Sequence, residues 1–168
     1  LILLCPLLLS QHAYPQTTWV AGGVPFLTTQ VFGIYTDTIG NAIYFCGASS
    51  IDGDNNFNDQ GISVYSDGQW DTIGVFTGTP LCAIRWQDTL LVGGSFLRIN
   101  EDSIPACAAF ANGTWSQYGD FPNSGGPAAF RIINGELFAI GAFQYVDGHL
   151  CKGLAKRVGD AWLPVGDM

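Results

Sequence analysis

The sequence predicts an all-β fold, built as about three four-stranded antiparallel meanders that follow one another with a period of about 47 residues. Three observations carry this reading. One pattern recurs at 42–74, 90–119 and 137–166: an apolar strand runs into a glycine, a polar turn and a second short apolar run follow, and a Trp-x-x-x-Gly closes the segment (Trp70…Gly74, Trp115…Gly119, Trp162…Gly166). The glycines that end the apolar strand, Gly47, Gly94 and Gly141, are 47 apart in both intervals, and the tryptophans are 45 and 47 apart. A fixed period in that range marks a repeat architecture. The composition agrees, because 22 glycines with 48% apolar and 12% charged residues describe a packed chain with many tight turns. Helical spacing of apolar residues is absent, whereas short apolar runs bounded by Gly, Asp, Asn and Pro are frequent.

Each element follows in order. Residues 28–38 supply the innermost strand of the first unit. Ile43-Tyr44-Phe45-Cys46-Gly47 is the second, the loop 52–59 leads to a third through Val64-Tyr65, and Asp67-Gly68 turns the chain into the Trp70 strand. In the middle unit the strands are 80–86, 89–96, 106–110 and 114–118, with turns at Gln87-Asp88, 98–103 and Asn112-Gly113. The last of these is a strong hairpin signal, because both central positions of a type I′ turn need positive φ. The third unit repeats the scheme through Phe138-Ala139-Ile140-Gly141, a turn at Val146-Asp147-Gly148-His149 and a hairpin at Gly159-Asp160. The units are therefore about 28–74, 79–119 and 126–166. Ahead of them, Trp19-Val20-Ala21-Gly22 reads as the remnant of a preceding Trp-x-x-x-Gly strand. A lone meander has two apolar faces and cannot cover both, so neighbours must stack. Tryptophan suits the space between them, since it buries on the order of 200 Å². Four short strands in this length make one β-propeller blade.

The run LLVGGSF…CAAFANGTWSQYG resembles the repeats of secreted bacterial β-propeller proteins of the kelch and galactose-oxidase-like type, over about residues 28–167. The resemblance implies a propeller fragment of an exported protein, of a kind that often carries a C-terminal secretion-sorting domain, and it implies no reaction. Only the middle unit keeps both glycines of the motif. The last places Lys156-Arg157 where the others have Val64-Tyr65 and Ala109-Phe110.

Residues 1–9 form an apolar run that turns polar at Ser10-Gln11-His12, with the length of a signal-peptide core. Residues 1–16 are thus read as a signal-peptide remnant and 17–168 as the partial propeller, which places the protein outside the cell or on its surface. The net charge of −8, from six Lys plus Arg against fourteen Asp plus Glu, disfavours nucleic acid and anionic membrane as partners. Cys46, Cys82, Cys107 and Cys151 show no C-x-x-C spacing and no common repeat position, so they are expected as buried free thiols.

Catalysis is poorly supplied. Beyond the leader His149 is the sole histidine, too few for a histidine-dependent triad or for galactose-oxidase-like copper. Asp88, Glu101, Asp102 and Glu136 all fall in turns; two such acids would suffice for glycoside hydrolysis, which keeps a carbohydrate-active enzyme as the alternative. Asp52, Asp54, Asn56 and Asn58 repeat the alternate spacing of calcium-loop ligands, with Phe57 and Ser63 departing from the pattern. Calcium is therefore the candidate ion, and no other cofactor is implied. Arg85 and Arg131 read as matching positions on the first strands of their units, where they serve either as ligand contacts or as bonds to a neighbouring unit. The expected function is a non-enzymatic scaffold or a module that binds protein or glycan.

Overall fold

The computed structural model describes residues 30–48, 60–122 and 125–166. Among them the chain is all-β and every pairing is antiparallel. Strands β1 (Val31–Asp37), β2 (Ala42–Ala48), β3 (Gln60–Ser66), β4 (Gln69–Trp86), β5 (Thr89–Ile99), β6 (Cys107–Ala111) and β7 (Thr114–Gln117) make one sheet in chain order. Strands β8 (Pro127–Ile133), β9 (Glu136–Gly141), β12 (Leu154–Val158) and β13 (Ala161–Pro164) make a second, ordered β13-β12-β9-β8. Between β9 and β12 stands a small hairpin of β10 (Tyr145–Val146) and β11 (His149–Leu150). The expected turns are found, with positive φ at Asp67-Gly68, Asn112-Gly113 and Asp147-Gly148.

The first two units are not separate sheets. The last strand of one and the first of the next are a single 18-residue strand, β4, whose beginning pairs with β3 and whose remainder pairs with β5. The ladder shifts register at Thr77/Gly78 and at Pro80/Cys82. Pro80 has no N–H to give, and bulges bend and twist a strand. The two meanders linked by β4 consequently face each other. Tyr44, Ile62 and Val64 of the first share one core with Leu90, Val92 and Ala108 of the second. The opposite face of the second, Leu91, Cys107 and Ala109, shares another core with Phe130, Leu137, Ala155 and Trp162 of the third. Alternation along a strand sends neighbours to opposite faces, so the middle meander is covered on both sides. Among the described residues the stack does not close into a ring or barrel.

The repeated residues explain the stacking. Trp115 Nε1 donates to the Ile73 carbonyl at 2.8 Å, and Trp162 Nε1 donates to the Tyr118 carbonyl at 3.1 Å. In each case the next residue is the glycine of the preceding Trp-x-x-x-Gly. A Cβ on Gly74 would stand 3.1 Å from Trp115 Nε1, and one on Gly119 would stand 2.5 Å from Trp162 Cδ1. The glycine is the seat of the following unit's indole. The other recurrent glycines, Gly47, Gly94 and Gly141, have a different task. A Cβ there would overlap the carbonyl oxygen of Gln30, just before β1, of Thr79 in β4, or of Gly126, just before β8.

Candidate functional site

Asp37 ends β1 and lies buried between the first two meanders. Its Oδ1 accepts from the backbone N–H groups of Ile39 (3.1 Å) and Gly40 (3.0 Å), which closes the β1–β2 turn. Arg85 Nε donates to its Oδ2 at 2.5 Å across 48 residues of sequence. Burial pushes the Asp37 pKa up, but the Gly40 N–H, the Arg85 guanidinium and the Ile39 N–H outweigh it and hold the group below its ordinary 3.8. Burial also raises the Tyr44 phenol, against the nearby Arg85 charge. Every donor and acceptor named here is engaged inside the protein. Arg85 thus has a partner in the neighbouring unit and joins two meanders.

Arg131 is not its counterpart. Arg85 pairs with Leu90 and Arg131 with Phe138, while the residue 47 after Leu90 is Leu137, which pairs with Ile132. The two arginines are one residue out of phase and project from opposite faces of their meanders. Arg131 is exposed and donates through Nη1 to its neighbour's carbonyl, that of Phe130, at 2.7 Å. The structure does not bring them to one site. The proposed calcium ligands Asp52, Asp54, Asn56 and Asn58 lie outside the described residues, as do the leader at 1–16 and the Trp19 segment.

Among the described residues the four cysteines are free thiols. Cys46, Cys107 and Cys151 are buried, and burial raises all four pKa values, that of Cys82 to about 12. Neutral thiols of this kind are poor nucleophiles and poor metal ligands. They pack as small apolar side chains.

A different surface emerges at the β10–β11 hairpin, around the Val146-Asp147-Gly148-His149 turn. Two adjoining cavities, of about 350 and 490 Å³, lie against the stretch Ala142-Phe143-Gln144. Tyr145 borders one and Leu150 with Lys152 the other. Tyr145 is 45% exposed and Leu150 41%, whereas Phe143 beneath them is buried. The Gln144 carbonyl accepts from the backbone N–H groups of Cys151 (2.7 Å) and Lys152 (3.1 Å), which fixes the base of the hairpin. Asp147 anchors its tip: Oδ1 accepts from Asp120 N at 2.7 Å and Oδ2 from Trp162 N at 2.7 Å. An aromatic ring borders one cavity and an ammonium the other, with the amide of Gln144 between them, on a hairpin hydrogen-bonded at its base and its tip. Such a surface can stack on and hydrogen-bond a hydroxylated or peptidic ligand. The signal that locates Asp147 in sequence is its distance of 47 from Asn100, which holds the same place one unit earlier.

No protein-family model matches the chain, and no curated protein is significantly similar to it.

Proposed function

We propose that this chain belongs to an exported β-propeller of the kelch-like kind, and that it works without catalysis as a scaffold or as a module that binds protein or glycan. Three meanders stacked in chain order through one repeated indole-to-carbonyl seam support the propeller architecture. The apolar leader-like run at 1–9 supports export. The observation that carries the binding role is the hairpin surface of Gln144, Tyr145, Leu150 and Lys152 beside two cavities. The buried carboxylate Asp37 is paired and its pKa is pushed down. A general acid for glycoside cleavage requires the opposite displacement.

Affinity electrophoresis through gels containing xylan, mannan or soluble chitin, with protein capture by the same chain run in parallel, tests the reading. Retardation or capture that Tyr145→Ala abolishes, with no release of reducing ends, is the expected result. Reducing-end release that Glu101→Gln or Asp102→Asn removes would replace the binding module with a hydrolase.

A further inference from the structure

We propose that a second copy of this chain docks on the outer face of the β1–β4 meander, its Gly166 seating the Trp70 indole and its Val165 carbonyl accepting the N–H, so that two copies close head to tail. Both internal seams obey one rule. Each indole donates to the carbonyl three residues after the preceding unit's tryptophan, Ile73 after Trp70 and Tyr118 after Trp115. The next residue is the glycine on which the ring sits, Gly74 or Gly119.

Each end of the stack carries one half of a further seam. At the last meander, Val165 and Gly166 stand three and four residues after Trp162. Gly166 has φ near 80°, and no atom of the described residues lies within 4 Å of a notional Cβ there. The seat is open. At the first meander, Trp70 pairs with Tyr65 as Trp115 pairs with Phe110, and its ring lies 5.1 Å from both Phe45 and Tyr65. None of the described residues accepts its indole N–H.

The surfaces around the two halves match those that meet internally. Ile43 and Phe45 hold the places of Leu90 and Val92 in the second meander and of Leu137 and Ala139 in the third, 47 residues on at each step. Those four are buried against the preceding meander, whereas Ile34, paired with Phe45, stays 64% exposed. At the far end Phe138 holds the place of Tyr44 and Leu91, each of which packs into a core, and Ile133 and Ile140 are exposed on the same face. A partner unrelated to this chain would need no such match. Arg131 and the Lys156–Glu136 pair on that face make the contact weak and concentration-dependent. A head-to-tail contact grows without end unless its rotation closes. Propellers hold about four to eight units, so two copies of three close at six; this closure rests on the propeller reading above.

Sedimentation velocity of the full chain from micromolar to millimolar concentration, with solvent exchange of the ¹⁵N-labelled indole N–H groups, tests the proposal. The expected species is a dimer and nothing larger, in which Trp70 exchange slows at least about tenfold as the dimer fills. Gly166→Val should abolish both effects while Trp115 and Trp162 stay protected. Should that variant fail to fold, a mixture with a second chain bearing a nitroxide at Asp160→Cys, built on Cys5→Ser, reads the same contact. The Trp70 signal of the ¹⁵N-labelled copy should broaden, and those of Trp115 and Trp162 should be spared. A monomer at every concentration, whether its Trp70 exchanges freely or is protected, would overturn the docking and leave the propeller reading standing. Open-ended oligomers would overturn the closure and the propeller reading with it.

Discussion

The Asp37–Arg85 pair shows what a single buried charge does in a stack of sheets. A carboxylate with 1% side-chain exposure is costly unless its lone pairs are filled, and two backbone N–H groups and a guanidinium fill them. Removing the charge leaves Arg85 facing an interior that no longer balances it. Asp37→Asn should therefore cost on the order of 1–3 kcal/mol near neutral pH. The sign with pH follows from the depressed pKa of the folded state. The contribution is complete above the unfolded value and disappears as pH falls through the folded one, below about 4. Urea titrations of both proteins at pH 7 and at pH 2 provide the check, and a gap that is equally wide at pH 2 would refute the assignment. Arg157 makes a different contact between units. Its guanidinium carbon lies 4.4 Å from the Tyr118 ring centre and 5.7 Å from that of Trp162, a cation held between aromatics of successive meanders.

At the scale of the element, the recurrent turns and seams follow from two glycine classes that must be told apart. Gly113 sits at a hairpin tip with φ near 77° and open space around a notional Cβ. Gly119 has φ near 104° and holds the Trp162 indole where a Cβ would be. Gly113→Ala should cost about 1 kcal/mol, from backbone strain alone. Gly119→Ala should cost on the order of 3 kcal/mol or more, since strain and overlap combine. Denaturant midpoints at unchanged slope measure both, and equal losses would dismiss the seat.

These same elements show where sequence is sufficient. Strand positions and hairpin turns were legible because period-two burial and Asn-Gly or Asp-Gly signals are local. The seam was half legible: Trp-x-x-x-Gly was visible as a repeat, but the pairing of one unit's indole with the previous unit's glycine is a contact across more than 40 residues. The continuity of β4 was hidden because Pro80 and Gly78 read as breaks, whereas here they form bulges within one strand. Arg85 and Arg131 are 46 residues apart, one short of the 47 that relates Gly94 to Gly141, and because both strands carry the same bulge that one residue sends the two side chains to opposite faces. The reciprocal clamps at Asn100 with Val75 and at Asp147 with Asp120 are hidden for another reason. Both residues have φ near 50° in polar loops of equal length but different sequence, so only the spacing of 47 betrays them.

For the whole molecule, the two ends of the stack differ in kind. Tyr35, Ala42 and Val64 of the first meander point towards the second and lie within or against its core. The register places Arg131, Glu136 and Lys156 of the third meander at the same three positions, since Tyr35, Ile84 and Arg131 pair with Tyr44, Leu91 and Phe138. Lys156 Nζ donates to Glu136 Oε1 at 2.9 Å on a largely exposed face, so the pair contributes between zero and about 1 kcal/mol to stability. Its physical effect is on solubility, because it interrupts an apolar face that also carries Ile133 and Ile140, 52% and 42% exposed. Replacing both charges, Glu136→Val with Lys156→Val, restores a face like those that stack internally. The double variant should keep the thermal midpoint of the parent within a few degrees and self-associate at concentrations where the parent remains the smaller species. Sedimentation velocity across a dilution series distinguishes the two. A variant that sediments like the parent at every concentration would show that the ion pair does not govern the solubility of this end.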